Sequence, residues 1–311
     1  MSTPLVTIRC LVYNHEPYLR QCLDGFVMQK TNFPFEAIVH DDASTDRSAE
    51  IIREYAEKYP DIIKPIFETE NQYSKRDGSI QRIMNEHTRG KYVAMCEGDD
   101  YWIDPFKLQK QVEFLETHSG YIMCSHKYQY YFQDQKTFGD IMPQEINSSF
   151  TYDLNYYIHR NSWVTQTLTC VFLYSALDFD HYSQYKNVKD LTLIYHILQN
   201  GKGYFMNENM GVYRKHRGGV WSSTNILQMK ISDLKAIKGI WDIDFSDTAV
   251  LMMKSYVEIF VNPKDYILNL GVFMPYLKVI KKKYGLFVVV KLIFKQFNKS
   301  FFLRLNALLK K

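Results

Sequence analysis

The sequence predicts an α/β fold in which a doubly wound, mostly parallel sheet is followed by a C-terminal helical region. Over the first hundred residues, short runs of β-branched and apolar residues alternate with segments whose apolar residues recur at helical spacing. Such alternation is typical of parallel strands joined by crossover helices. Beyond residue 222 the apolar pattern is helical almost throughout. We therefore predict a sheet domain over residues 1–221 and a helical region with a basic tail over residues 222–311.

Local patterns indicate each element of the first hundred residues. Runs of β-branched and apolar side chains mark the strands. Leu19, Leu23 and Phe26 at helical spacing mark the first crossover helix, and Ser44 or Thr45 can cap the second. In chain order, the predicted elements are a strand at 5–13, a helix at 17–29, a strand at 35–40, a helix at 48–59, a strand at 62–67, a helix at 79–87 and a strand at 92–96.

The rest of the domain is less regular in pattern. The segment from 133 to 165 is polar and aromatic and has no clear period. The predicted elements around it are a helix at 107–118, an aromatic strand at 121–132, a strand at 167–174, a helix at 190–198 and a strand at 203–213. In the helical region beyond, we expect breaks near Pro263 and Pro275.

Acidic residues directly follow two of the predicted strands. Glu97, Asp99 and Asp100 follow the fourth strand, and Asp41 and Asp42 follow the second. Because parallel strands end at the same edge of a sheet, both acidic loops should lie there, where open α/β sheets bind ligands. Carboxylates crowded together repel one another, which indicates a divalent cation held beside an anionic ligand. The alternatives are a solvated turn for the first group and helix capping for the second.

Charge is distributed unevenly along the chain. With 311 residues, 46% of them hydrophobic, the chain can bury a substantial core. The net charge is +4, but ten basic residues lie between Lys278 and Lys311, and no acidic residue follows Asp265. The preceding part is therefore mildly acidic. This asymmetry argues against a nucleic-acid-binding protein, whose folded domain would itself be basic, and indicates a basic tail on an acidic domain.

Cysteine usage and the amino terminus indicate a cytoplasmic protein. The five cysteines are widely spaced and include no C-x-x-C pair, so neither a disulfide framework nor a zinc site is expected. The first residues lack the basic and apolar regions of a secretory signal, and no apolar run approaches 18 residues. We expect neither secretion nor a membrane-spanning helix.

Four motifs together resemble those of the family 2 inverting glycosyltransferases of GT-A fold. They are Val12-Tyr13-Asn14, Asp41-Asp42-Ala43-Ser44-Thr45-Asp46, Glu97-Gly98-Asp99-Asp100-Tyr101-Trp102 and Tyr213-Arg214-Lys215-His216-Arg217-Gly218-Gly219. Their order and spacing follow the family over roughly the first two thirds of the chain. The resemblance implies transfer of a sugar from a nucleotide-diphosphate donor, expected to be a UDP-sugar. The implied acceptor is a glycan or a lipid-linked sugar in cell-surface polysaccharide synthesis.

The resemblance also assigns roles in donor and metal binding. It implies that Asp42 reads the donor base and that Tyr13 forms a wall of the nucleotide site. Glu97 and Asp99 take the places of the family's D-x-D motif, where Mn²⁺ or Mg²⁺ binds, with Asp99 as the direct ligand. Glu97 and Asp100 are expected on the nucleotide sugar, although a glutamate in the first position departs from the family pattern. A divalent cation here would neutralise the charge that gathers on the departing diphosphate.

Inversion requires a base that takes the proton of the acceptor hydroxyl. In the family this base is an acidic residue at the start of a helix that follows the later strands. Asp190 matches that position, although Lys189 stands where the family usually has an acidic neighbour. The alternative is that Asp190 only caps its helix.

Two further groups complete the predicted site. His216 follows the last predicted strand, in a position comparable to a metal-ligating histidine of some GT-A enzymes, while Arg214 and Arg217 are expected to meet the diphosphate. The alternative for these three is an exposed basic turn. Tyr101 and Trp102 either form a stacking wall for the acceptor sugar or are core aromatics.

The C-terminal tail interleaves lysines with large apolar residues. Lys291, Lys295, Lys299 and Lys310 fall on one side of a helical wheel, and Phe294, Phe297, Phe301 and Leu308 fall on another. Such a helix can bind an anionic membrane surface, which would make the protein peripheral on the inner face of the membrane. The alternative is a terminal helix packed on protein.

Two other functions compete with the glycosyltransferase hypothesis. A sugar-nucleotide pyrophosphorylase would need a glycine-rich loop after the first strand, and Tyr13-Asn14-His15-Glu16 contains no glycine. A non-catalytic nucleotide-sugar-binding subunit of a polysaccharide assembly would bind the donor without consuming it. The chain also lacks a Q-x-x-R-W signature, which favours transfer of a single sugar over processive synthesis.

Overall fold

The computed structural model describes residues 3–160, 164–219, 225–260 and 269–308, with the side chains of the last helix described as far as residue 292. The chain divides into two compact units. The first consists of Met1–Leu154, Ser162–Phe179 and His196–Gly219, and the second of Asn155–Asn161, Asp180–Tyr195 and Val220–Lys311. The predicted boundary between residues 221 and 222 lies outside the described residues.

Ten strands and ten α-helices are described. The strands are β1 (Val6–Val12), β2 (Phe35–Asp41), β3 (Ile63–Phe67), β4 (Tyr92–Met95), β5 (Tyr101–Trp102), β6 (Tyr121–Phe132), β7 (Thr137–Met142), β8 (Phe150–Tyr152), β9 (Val171–Leu173) and β10 (Lys202–Lys215). The helices are α1 (Glu16–Val27), α2 (Ser48–Lys58), α3 (Ser79–His87), α4 (Lys107–Thr117), α5 (Leu154–Arg160), α6 (Phe179–Tyr182), α7 (Asp190–Leu198), α8 (Ile226–Asp244), α9 (Asp247–Phe260) and α10 (Leu270–Leu308).

All ten strands form one mixed sheet in the first unit. Its main path runs β3-β2-β1-β4-β9-β6-β10-β5, with β7 paired to β6 and β8 to β10. The predicted parallel core is present, because β1, β2, β3 and β4 pair in parallel. The antiparallel strands β5, β7 and β8 were not predicted as separate elements. Strand β7 follows β6 through a short turn, and such a connection allows only an antiparallel hairpin.

The strand order creates a crevice at the carboxyl edge of the sheet. From β1 the chain moves outward through β2 and β3, then returns to place β4 on the other side of β1. At such a reversal the loops after neighbouring strands diverge and leave room for a ligand. The loops after β1, β2 and β4 all begin at this edge, since Val12 pairs with Asp41 and Arg9 with Met95.

A continuous apolar core fixes this arrangement. The side chains of β1 that face the core, and those of α1 that cover the sheet, are fully or almost fully buried: Val6, Ile8, Cys10, Val12, Leu19, Cys22, Leu23 and Phe26. Burial of this apolar surface is the main stabilising contribution to the fold. All five cysteines are buried as free thiols.

Helices α8, α9 and α10 contact one another in the second unit. Their buried side chains include Leu234, Ile237, Val257, Phe273 and Ile280. Helix α10 continues through Pro275, contrary to the predicted break, and is interrupted instead at Gly285, where φ is 81° and ψ is 170°. Pro275 lacks an N–H, so the helix loses one backbone hydrogen bond there and continues without it. The break predicted near Pro263 lies outside the described residues. No helix in the described part of the chain combines the length and apolar content needed to cross a bilayer.

Candidate active site

Side-chain hydrogen bonds join the loops after β1 and β2. The Asn14 backbone N–H donates to Ser44 Oγ at 2.9 Å, and the Thr45 N–H returns a bond to Asn14 Oδ1 at 2.8 Å. Asn14 and Ala43 both have positive φ, a conformation that asparagine tolerates better than most residues. Asp46 accepts from the N–H groups of Glu16 and Ser48, both at 2.9 Å, and so ties together the first residues of α1 and α2. The expected cap by Ser44 or Thr45 is wrong, because the N-cap position of α2 is Arg47 and no side chain caps it. The two loops therefore form one rigid wall of the crevice.

Asp42 supports the next segment of this wall. Its carboxylate accepts from the backbone N–H groups of Gln72, at 2.6 Å, and Tyr73, at 3.0 Å. The residue is 3% exposed, whereas Tyr13 is 47% and Tyr73 is 65% exposed. A carboxylate oxygen has two acceptor positions, so Asp42 can hold this turn and still accept from a ligand. Its role in reading the donor base, and that of Tyr13, stay predictions.

Asp99 lies where three loops meet. Its Oδ2 atom is 3.0 Å from His216 Nε2, at the end of β10, and 4.0 Å from His15 Nε2, in the first loop. Burial tends to raise the pKa of Asp99, but the hydrogen bond from His216 and the neighbouring His15 outweigh it, and the net pKa is lowered. Burial in turn lowers the pKa of His15, against the attraction of Asp99. Asp99 therefore carries its negative charge at neutral pH.

Gly98 allows these groups to come together. A Cβ atom at this position would lie 2.7 Å from His15 Nδ1 and 2.9 Å from Val12 Cγ2. Only glycine lets the β4–β5 loop pass so close to the first loop. The preceding carbonyl, that of Glu97, accepts from the Cys22 thiol at 3.4 Å, which ties the loop to α1.

Asp99 and His216 are the residues of this crevice that could hold a divalent cation. Asp99 Oδ2 and His216 Nε2 lie 3.0 Å apart, the distance of a hydrogen bond, so a cation bound by both atoms would replace that hydrogen bond. The Nδ1 atoms of His15 and His216 are shielded from solvent and have no hydrogen-bond partner in the described part of the chain. Among the described residues no three His, Cys, Asp or Glu side chains converge as a complete metal site. Mg²⁺ commonly takes one or two protein carboxylates and completes its shell with water and substrate phosphate.

Arg214 and Asp100 are buried and belong to the scaffold of the site; the expected roles of Arg214 at the diphosphate and of Asp100 on the nucleotide sugar stay predictions. Asp100 Oδ1 accepts from the Arg214 backbone N–H at 2.8 Å. The Arg214 guanidinium donates to the Asp99 carbonyl at 2.8 Å, to Gln133 Oε1 at 2.5 Å and to Gln21 Oε1 at 2.6 Å. It is 5% exposed and lies 5.0 Å from the centre of the Tyr18 ring. Burial, and then the neighbouring Asp99 charge, raise the pKa of Asp100 well above its usual range.

Arg217 is the arginine of the motif that solvent can reach. Its side chain is 89% exposed, and its Nε donates to Asp134 Oδ2 at 2.8 Å. An exposed ion pair of this kind contributes little to stability and can be exchanged for a ligand. The expectation that Arg217 meets the diphosphate stays a prediction, as does the role of Glu97.

Tyr101 and Trp102 are buried among core residues, in line with the second of the two alternatives for them, and a role as a stacking wall for the acceptor sugar stays a prediction. They are 6% and 2% exposed. The Trp102 indole N–H donates to the Leu168 carbonyl at 2.8 Å, and the amine of the fully buried Lys107 lies 4.0 Å from the centre of its ring. Both rings are packed in the core, so their aromatic surface contributes to packing.

Asp190 belongs to the second unit. It is the first residue of α7 and is exposed, while Lys189 beside it forms an ion pair with Asp233, which also accepts from the Tyr256 hydroxyl at 2.5 Å. Desolvation by surrounding protein raises the pKa of Asp190 even though it keeps accessible surface; Lys189 opposes this shift and Asp233 adds to it. A carboxylate with a raised pKa is better suited to accept a proton. Its assignment as the base stays a prediction.

His15, Tyr18 and Gln21 contribute to the site without having been singled out from the sequence. The Tyr18 ring centre lies 4.4 Å from that of His216, and Gln21 holds Arg214. The three residues follow one another at intervals of three, which places them on one side of the first turns of α1. That spacing, in a helix that begins at the carboxyl end of β1, was the signal that could have found them.

A family model described as glycosyl transferase family 2 matches residues 10–185. The match spans more than half of the chain and includes the end of β1, all of β2 and β4 and the loops that carry Asp42 and Asp99. The chain belongs to glycosyl transferase family 2. The sequence-based identification of the family is thereby confirmed.

Curated relatives agree with this assignment. An uncharacterized protein of Mycobacterium tuberculosis is 34% identical over 220 residues, which cover 70% of this chain and 61% of the relative. The putative teichuronic acid biosynthesis glycosyltransferase TuaG of Bacillus subtilis is 32% identical over 114 residues, covering 36% of this chain and 42% of TuaG. The chain thus spans about three fifths of the length of the first relative.

Solved structures of glycosyltransferases share the fold. Staphylococcus aureus TarS, residues 1–349 in complex with UDP-GlcNAc, superposes with a TM-score of 0.65 at 17% identity, covering 88% of this chain and 81% of TarS. The mannosyltransferase PcManGT of Pyrobaculum calidifontis, in complex with GDP-Man and Mn²⁺, has a TM-score of 0.54 at 16% identity, covering 94% and 88%. The predicted GT-A fold with C-terminal helices is confirmed.

Proposed function

We propose that this member of family 2 is an inverting, metal-dependent glycosyltransferase. It transfers one sugar from a nucleotide-diphosphate donor, a UDP-sugar, to a glycan or lipid-linked acceptor in cell-surface polysaccharide synthesis. The observation that carries the proposal is the ionised Asp99 carboxylate beside His216 and His15 at the crevice between β1 and β4. The names of TuaG and of the UDP-GlcNAc complex of TarS support the acceptor and donor classes.

The first step of the proposed mechanism is donor binding. Asp99 and His216 would hold Mn²⁺ or Mg²⁺, and a divalent cation supplies positive charge that stabilises a departing nucleoside diphosphate. The turn that Asp42 holds would present the exposed Tyr73 to the nucleotide, and the exposed Tyr13 would form a wall of the same site. The exposed Arg217 is available to exchange Asp134 for a phosphate oxygen.

The second step is attack by the acceptor. Asp190 would take the proton of the acceptor hydroxyl, so that the oxygen attacks the anomeric carbon on the face opposite the leaving diphosphate. The bond from the anomeric carbon to the acceptor oxygen forms as the bond to the diphosphate breaks, and the configuration inverts. We place this reaction in the cytoplasm, peripherally at the inner face of the membrane, where lipid-linked acceptors lie.

Donor screening followed by hydrolysis tests the proposal. Thermal unfolding of the full chain would be followed with a panel of UDP- and GDP-sugars, with and without Mn²⁺. A donor present at 100 times its Kd should stabilise the native state by about 2.7 kcal/mol. Slow hydrolysis of that donor should require Mn²⁺ and should fall at least a hundredfold in Asp99→Asn.

The matched control is Asp61→Asn, an exposed aspartate in the turn before β3. It should keep both donor stabilisation and hydrolysis. Hydrolysis that survives in Asp99→Asn would contradict the metal site. Donor stabilisation without hydrolysis or transfer under any metal condition would favour the non-catalytic binding subunit instead.

A further inference from the structure

Two large apolar side chains stand in solvent at the interruption of α10. Leu286 is 58% exposed and Phe287 is 79% exposed, directly after Gly285. We call residues 281–287 the kink segment. On either side of it the apolar residues of the helix are buried, including Ile280, Val289 and Leu292. Val272 and Met274 near the start of the helix are also exposed, at 43% and 41%, but less than Leu286 and Phe287.

The backbone at Gly285 produces this exposure. Its φ of 81° lies in the left-handed region, which residues other than glycine adopt at a cost. A Cβ atom there would meet nothing within 4 Å, so glycine is needed for its backbone freedom and not for space. The kink redirects the chain and leaves Leu286 and Phe287 without neighbours to cover them.

Exposed basic residues precede and follow these apolar residues in the sequence. Lys278, Lys281, Lys282 and Lys291 are exposed and form no ion pair within the described part of the chain, while Lys283 pairs with Asp247. No acidic residue follows Asp265 in the sequence. Lys291 lies four residues after Phe287 and so shares its face of the helix. The kink segment and the residues beside it in the sequence thus combine two exposed apolar side chains with unpaired positive charge among the described residues.

We propose that the kink segment docks onto an anionic lipid bilayer, with Leu286 and Phe287 in the headgroup and acyl boundary and the lysines on lipid phosphates. Positive charge attracts the segment to anionic lipid, and burial of the two apolar side chains holds it there. This inference rests on the proposed function for its purpose, since a lipid-linked acceptor lies at such a surface. It concerns residues 278–291, which share Lys291 with the basic tail predicted from the sequence; the other residues named for that tail, from Phe294 to Lys310, have side chains outside the described residues.

The positive charge of the kink segment argues against a second copy of this chain as the partner that covers Leu286 and Phe287. In a symmetric dimer the same surface lies on both partners, so the lysines would face the same lysines. Juxtaposed like charges destabilise an interface. An anionic bilayer satisfies both features of the surface at once.

Vesicle co-sedimentation of the full chain tests the inference. Wild-type protein should bind vesicles of 70% phosphatidylcholine and 30% phosphatidylglycerol at least tenfold more tightly than vesicles of phosphatidylcholine alone. Binding should weaken at least tenfold in the double variant Leu286→Ser and Phe287→Ser, and about threefold or more in Lys281→Gln with Lys282→Gln. Salt at 0.5 M should reduce binding of the wild type, because it screens the lysines.

The matched control is Val272→Ser with Met274→Ser, two side chains of the same helix that are 43% and 41% exposed. This variant should bind as the wild type does. In addition, Phe287→Trp should gain fluorescence that brominated phospholipids quench. Equal binding of the Leu286 and Phe287 variant and the wild type would overturn the inference. A lipid-free dimer that this variant abolishes would also overturn it, in favour of a second copy.

The same double variant separates this inference from the proposed function. It leaves the candidate active site untouched and should keep the thermal stabilisation by donor and Mn²⁺. Lost vesicle binding with retained donor stabilisation supports the docking role. If the wild-type protein binds the nucleotide-sugar donor but no vesicles, the result contradicts only the docking of the kink segment. If it binds vesicles but no nucleotide sugar, the result contradicts only the proposed function.

Discussion

At the scale of single residues, the chemistry of the site depends on the two histidine side chains that lie close to the Asp99 carboxylate. His216 lies at 3.0 Å and His15 at 4.0 Å, and their combined effect keeps the carboxylate ionised in a partly buried position. Gly98 makes this approach possible, because the first loop occupies the space that a side chain would need. Gly98, which lies between Glu97 and Asp99, is thus as important to the site as the two acidic residues.

Gly98→Ala should therefore damage the site without removing any functional group. The added methyl group would press on His15 and Val12 and displace the loop that carries Asp99. We expect a loss of about 1–3 kcal/mol in the free energy of unfolding. Mn²⁺-dependent donor hydrolysis should fall at least tenfold, since small displacements of catalytic groups have large effects.

Gly271→Ala provides the comparison. A Cβ atom at position 271 meets nothing within 4 Å, and its backbone is ordinary. This variant should unfold at the same urea concentration as the wild type, or a slightly higher one, with unchanged hydrolysis. Normal hydrolysis in Gly98→Ala would show that the site tolerates movement of the β4–β5 loop.

At the scale of elements, Arg214 connects three parts of the first unit. Its guanidinium joins the end of β10 to α1 through Gln21, to the β6–β7 turn through Gln133 and to the β4–β5 loop through the Asp99 carbonyl. The neighbouring Arg217 is exposed and pairs with Asp134 only at the surface. Two arginines of one short motif thus have different tasks, which their spacing in the sequence does not reveal.

Substitution of the two arginines should separate these tasks. Arg214→Met removes a buried guanidinium and its hydrogen bonds to three partly buried or exposed acceptors, and should reduce the free energy of unfolding by about 1–3 kcal/mol. Arg217→Gln should change it by less than about 0.5 kcal/mol. If Arg217 meets the diphosphate, its variant should raise the KM for the donor at normal stability. Equal, small stability losses in both variants would contradict the scaffold role of Arg214.

At the scale of the whole molecule, the core of the first unit contains a lysine whose charge opposes folding. Lys107 is fully buried, with its amine donating to Gln111 Oε1 at 2.8 Å. Burial lowers its pKa to about 8. The unfolded chain holds this proton up to a pH of about 10.4, so between these values the unfolded state binds more protons and stability rises with pH.

Comparison of wild type with Lys107→Met isolates this effect. From pH 7.5 to 9.5, the wild type should gain about 2 kcal/mol of unfolding free energy relative to the variant in urea titrations. The buried thiols act in the opposite direction, because burial raises the pKa of Cys96 to about 11 and of Cys124 to about 12, but they are present in both proteins. A constant difference between the two proteins across this range would mean that Lys107 keeps its charge in the fold.

Much of this molecule could be predicted from local patterns. The strands β1, β2, β3 and β4 were found because apolar runs and helical periodicity depend only on neighbours in the sequence. The carboxyl-edge position of Asp42 and Asp99 followed, because parallel strands fix which loops share an edge. The antiparallel strands β5 and β8 are only two and three residues long, too short for a pattern to emerge.

The sequence by itself determined the parallel core, the edge at which the acidic loops meet and the family to which they belong. Only the tertiary structure decided which side chains are accessible there. It buried Trp102 and Arg214, and it brought His216 to Asp99 across 117 positions of sequence. The reason is physical: apolar periodicity is a property of adjacent residues, whereas burial and side-chain contact depend on which distant strands and loops pack together.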